Sequence, residues 1–84
     1  MNKLLKVPLV LEPQKEGGWT VKSPILPELI TEFDDLKQLD EVVRDAINAV
    51  MELYEDTGKE FPPSLIADGV KSPVWFESLI FAEL

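Results

Sequence analysis

The chain has 84 residues, 16 of them acidic and 8 basic, for a formal net charge of −8, and it contains neither cysteine nor histidine. A chain this short is one domain near the lower limit for a self-sufficient core, and without those two residue types it has no disulfide, thiolate nucleophile, thiolate metal site or imidazole base. The acidity argues against binding nucleic-acid phosphates and no stretch approaches the roughly 20 apolar residues of a membrane span, so a soluble cytoplasmic protein is expected.

From Leu4 to Glu12, LLKVPLVLE places Leu5, Val7, Leu9 and Leu11 on one face and Leu4, Lys6, Pro8 and Val10 on the other, which predicts a first strand. Pro8 cannot donate to a strand ladder and should face an unpaired edge or a bulge. PQKEGG then reads as a turn, because Gly17 and Gly18 tolerate positive φ, and WTVKS resumes the alternation to complete a hairpin. In SPILP, Pro24 and Pro27 fix φ and push Ser23 and Leu26 toward extended backbone, which predicts an ordered elbow displaying Ile25 and Leu26. On that reading Leu26→Asp should spare the fold while weakening assembly. ELITEF follows as a third strand, with Leu29, Thr31 and Phe33 on one face.

Asp35 followed by Gln38 has capping-box spacing. Beyond it, Leu36, Leu39, Val43, Ala46, Ile47, Val50, Leu53 and Tyr54 fall within about 120° of one another at helical periodicity. Gly58 suits the left-handed position after the helix, and Pro62 and Pro63 prevent its resumption. The tail SPVWFESLIFAEL alternates once more, with large apolar residues on both sides, and predicts a fourth strand. One helix covers only one of those sides, so Trp75, Leu79 and Phe81 are expected to meet a sister subunit in a dimer or tetramer. The sum is an α+β fold: a two-layer β-β-β-α-β unit with a small sheet covered by one long helix.

The charge is unevenly spread. Between Glu28 and Glu60 lie 11 acids and three bases, so the whole excess sits in one segment. On the helix, Glu41, Asp45, Glu52 and Asp56 form a stripe opposite the apolar face. A solvated helix back would produce such a stripe, and so would a docking face for a basic partner. The like charges at i,i+4, Glu41 with Asp45 and Glu52 with Asp56, each cost a few tenths of a kcal/mol. Asp34, Asp35, Asp40 and Glu41 lack the spacing of a calcium loop and are better read as a cap-rich helix start. Serines 23, 64, 72 and 78 have no activating base, and no phosphate-cradling glycine motif is present. The reading assigns no catalytic residue, no metal and no cofactor.

The ordered set VPLVLEP, EGGWTVKSPILPELITE, AINAVMELYEDTGK and FPPSL resembles the HicB-like antitoxin family over residues 7–65. The resemblance implies a partial RNase H-like fold of strand order 3-2-1-4, in which the helix crosses over to set strand 4 beside strand 1. It also implies an antitoxin of a type II toxin-antitoxin pair that binds a small basic HicA-like toxin and masks its mRNA-cleaving site. Phe33 stands where family members often carry glycine, and Asp35 stands at a usual threonine position. Glu41, Asp45, Glu52, Asp56, Ile25, Leu26 and Phe33 are the candidate partner-binding residues. The 84 residues read as a single HicB-like domain with no appended DNA-binding module, since those after Pro63 are too few for one. The competing reading is a stand-alone homo-oligomeric scaffold or small-ligand-binding domain that has no toxin.

Overall fold

The computed structural model describes residues 4–67, 69, 71, 73–80, 82 and 83. Three short strands, β1 (Val10–Pro13), β2 (Trp19–Lys22) and β3 (Ile30–Phe33), form an antiparallel sheet in the order β1-β2-β3. A single-turn 3-10 helix (Leu36–Gln38) leads into α1 (Leu39–Thr57), which packs chiefly on β3, and a second 3-10 turn (Pro63–Leu65) follows. The described fold is therefore a small α+β unit, as the periodicities predict.

The register sorts side chains by face. Leu11, Val21 and Thr31 lie abreast, as do Pro13, Trp19 and Phe33. Within those rows Val21 and Phe33 are buried, and the Trp19 and Phe33 rings stack at 6.4 Å between centroids. On the opposite face Val10, Lys22 and Ile30 lie abreast and are exposed, with Lys22 Nζ 3.2 Å from Glu12. Tyr54, Ile47 and Val50 of α1, together with Leu65, close the core over Val21, Leu26 and Leu29. Leu53, at the margin of the predicted apolar stripe, is exposed.

The hairpin depends on Gly18. Its φ is +82°, and a Cβ there would come within 3.0 Å of the Phe33 carbonyl oxygen. Any other residue would strain the turn and also push it off β3. The helix ends as its sequence predicts. Asp35 Oδ1 accepts from the Lys37 amide at 2.9 Å, and Gln38 Oε1 accepts from the Asp35 amide at 3.2 Å. At the far end Gly58 is left-handed at φ 71°, and the Lys59 amide donates to the Tyr54 carbonyl at 2.9 Å.

Two expectations are corrected. The first concerns the strands at either end of the chain. Residues 4–9 keep the predicted alternation of exposed and half-buried side chains, yet ladder pairing begins only at Val10. Beyond Lys22 the elbow turns the β2 chain away, and Pro8 has no N–H to offer. The segment that returns beside this stretch is not the tail. It is residues 65–67, held antiparallel by one bridge, Leu5 to Ile66, with the Lys6 amide donating to Leu65 and the Ala67 amide to Leu4. Among the described residues the tail forms no strand, and Trp75 and Phe76 are 85% and 83% exposed. The order 3-2-1-4 is thus present as far as 3-2-1.

The second correction concerns the elbow. Leu26 has 0% exposure whereas Ile25 has 45%. The Ser23 hydroxyl accepts from the Ile25 and Leu26 amides at 3.2 and 3.3 Å, and the Leu29 amide donates to the Leu26 carbonyl at 3.0 Å across Pro27. These bonds turn Leu26 inward, so an aspartate there would bury an unpaired charge and destroy the fold. Leu26→Ala is expected to cost about 2–5 kcal/mol and Ile25→Ala less than about 1 kcal/mol, read from urea midpoints. Equal costs would contradict this assignment of the elbow.

Candidate partner-binding surfaces

α1 presents two unlike faces. Its amphipathic pattern seats Ile47, Val50 and Tyr54 in the core, which leaves Glu41, Asp45, Glu52 and Asp56 exposed on the outer side. Among the described residues the ion pairs are Lys22–Glu12, Arg44–Asp40 and Lys59–Glu28, and none involves that stripe. The last turn of α1 holds no base, while Glu55 and Asp56 sit beside the negative end of the helix dipole. A helix shaped by its own stability would carry lysines there. The predicted stripe is therefore exposed and without a neutralising partner among the described residues.

The candidate contacts on the elbow and β3 separate. Ile25 is at the surface, whereas Leu26 and Phe33 are in the core. Phe33 holds Trp19 by ring stacking, which accounts for a large residue at that position, and its backbone carbonyl is the one that Gly18 approaches. Among the candidate sister-subunit contacts, Trp75 and Leu79 are exposed and Phe81 lies outside the described residues. Of the carboxylates weighed as a metal cluster, Asp35 caps the helix start and Asp40 accepts from Arg44 at 2.7 Å.

Beside the sheet, on the flank where a fourth strand is predicted, lies an open groove of about 1720 Å³. One wall is the alternating N-terminal stretch with Leu5, Val7 and Leu9. Its floor is α1, and the tail from Val74 to Leu79 stands along the other side.

One constellation escaped the sequence reading. Glu28, on the elbow, accepts from the Tyr54 hydroxyl at 2.8 Å. Lys59, just past the helix end, lies 3.6 Å from the second Glu28 oxygen and 4.6 Å from the Tyr54 ring centre. The Tyr54 hydrogen bond, helped by the Lys59 charge, holds the Glu28 carboxyl below its ordinary value, and the same bond pushes the Tyr54 hydroxyl up. The signal in the sequence was a lysine directly after the helix-ending glycine. Nothing local, however, links it to an acid roughly 30 positions earlier.

Comparison with known proteins agrees with the residue pattern. The chain is 33% identical over 60 residues to a protein of Photorhabdus laumondii subsp. laumondii named "Antitoxin HicB 1", a match covering 71% of the chain. The chain belongs to the HicB-like antitoxin family. It spans 39% of that relative's length. No protein-family model matches the chain, and no solved structure matches it.

In this HicB-like chain the Glu28–Tyr54–Lys59 cluster ties the elbow to the end of the acidic helix. Because Glu28 has a lowered folded-state pKa, its stabilising contribution is present above the unfolded value near 4.5 and is lost as pH falls through the folded value below it. Tyr54→Phe is expected to lower the urea midpoint at neutral pH, with the gap to the parent narrowing in acid below pH 4.5. A gap of constant size across that range would remove the cluster from the account of stability.

Proposed function

We propose that the chain acts as an antitoxin, binding a small basic HicA-like toxin in the cytoplasm and masking the surface with which the toxin cleaves mRNA. The role is stoichiometric binding, with no reaction of its own. What carries the reading is the exposed stripe Glu41, Asp45, Glu52 and Asp56, unneutralised among the described residues, in a chain that belongs to an antitoxin family.

The chemistry of such a complex follows from the charge map. A single-sign helix face attracts a cationic enzyme from solution and raises the encounter rate, and like-charged proteins are turned away. Rim charges of this kind govern association more than dissociation, so the residence of the complex has to come from apolar contact. Ile25, exposed on a rigid elbow near the C-terminal end of α1, supplies such a contact at low ordering cost.

Coexpression with a short, lysine-rich reading frame adjacent to this gene tests the proposal, scored by growth. The chain should restore growth that the frame alone arrests. Asp45→Lys combined with Glu52→Lys should slow association about tenfold or more at low salt and abolish rescue, with helix content unchanged. Undiminished association by the double variant would sink the stripe as the docking face.

A further inference from the structure

The groove beside the sheet and the bare tail are complementary, and the tail of the same chain stands along one side of the groove without filling it. Val74, Trp75, Phe76, Leu79 and Ile80 are all exposed, and the radius of gyration is 14.2 Å against about 12 Å for a compact chain of this length. The groove, at about 1720 Å³, exceeds the roughly 300–1,000 Å³ of small-molecule pockets and suits a polypeptide segment. We infer that residues 73–80 of each chain lie in the groove of a second copy, so that two chains exchange tails about a twofold axis and each completes the other's core.

Three observations favour this occupant. Area is the first. Each tail offers on the order of 600 Å² of apolar surface, counting about 200 Å² for an aromatic ring. Two tails and the walls they cover come to roughly 2,000 Å², enough for a stable interface. The second is charge. Outside the tail, the groove is lined by Lys6, Lys37 and Arg44 against the one carboxylate of Asp40. In a chain of net charge −8 this is a basic spot. It accepts a segment bearing Glu77 and repels a cationic protein, which separates this surface from the acidic stripe.

The third observation is backbone. Residues 7–9 pair with no strand among the described residues, so an extended segment can add along them. The tail has large apolar groups on both of its faces. In its own groove one face would stay wet, whereas between a partner's groove and the partner's tail both faces are covered.

The inference stands whether or not the acidic stripe meets a toxin, and its test involves no toxin. Light scattering of the intact chain should give twice the 9.5 kDa chain mass. Trp75→Glu with Leu79→Glu should return it to a single chain with helix content kept, since both positions are exposed in the isolated fold. The absence of native cysteine allows a second readout. Mixing a tagged Leu79→Cys chain with an untagged Val43→Cys chain should give a disulfide between chains, while a chain carrying both substitutions should not close on itself at high dilution. A single-chain mass for the parent, a dimer indifferent to the tail variants, or a disulfide formed only within one chain would each overturn the exchange. The last of these would assign the groove to the chain's own tail.

Discussion

The apolar stripe of α1 is longer than the sheet beneath it. Nineteen helical residues span about 28 Å, whereas strands of four residues reach about 13 Å, so the sheet covers only part of what the helix offers. The covered part is the core: Ile47, Val50 and Tyr54 over Val21, Leu29 and Phe33, with Leu26 driven in from the elbow. Residues 4–9 approach the remainder without sealing it, and the groove is the consequence. A small domain that buries only about 60% of its unfolded surface has little stability in reserve for such an opening.

The same helix separates two kinds of interaction. Its outer side carries Glu41, Asp45, Glu52 and Asp56, where the like-charged i,i+4 pairs are slightly unfavourable and the helix dipole further disfavours Asp56 in the last turn. Its groove side carries the Arg44–Asp40 pair among apolar residues, with Lys6 and Lys37 nearby. On the proposed reading, an acidic face toward a basic enzyme and an apolar, faintly basic face toward a second copy do not compete for one surface. The Glu28–Tyr54–Lys59 cluster fixes the elbow against the end of the helix, so Ile25 and the acidic stripe are held in a set relation.

Local physics was legible in the sequence where a few neighbouring residues decide the outcome. The Asp35–Gln38 cap, the left-handed Gly58, the glycine turn before Trp19 and the inward set of Leu29, Thr31 and Phe33 all follow from spacing alone. Whatever depended on distant pairing did not. The alternation in residues 4–12 and in the tail was read as two paired strands, but alternation shows which faces a segment has and not whether a partner lies beside it. SPILP was read as an ordered elbow, and local hydrogen bonds do turn the chain there. Its direction came from the Ser23 hydroxyl, which is why Leu26 is a core residue and Ile25 the exposed one. Of the candidate site, the acidic stripe was readable because helical periodicity alone places it. Leu26 was misplaced at the surface because burial is settled by the whole core.

If the uncovered length of the helix is completed by association, folding and assembly are linked and stability must depend on concentration. Urea unfolding of the intact chain, followed by circular dichroism over a hundredfold range of protein concentration, measures this directly. The account requires the midpoint to climb steadily as concentration rises. A midpoint that stays fixed throughout would mean that the single chain is sufficient by itself and that the groove needs no second copy.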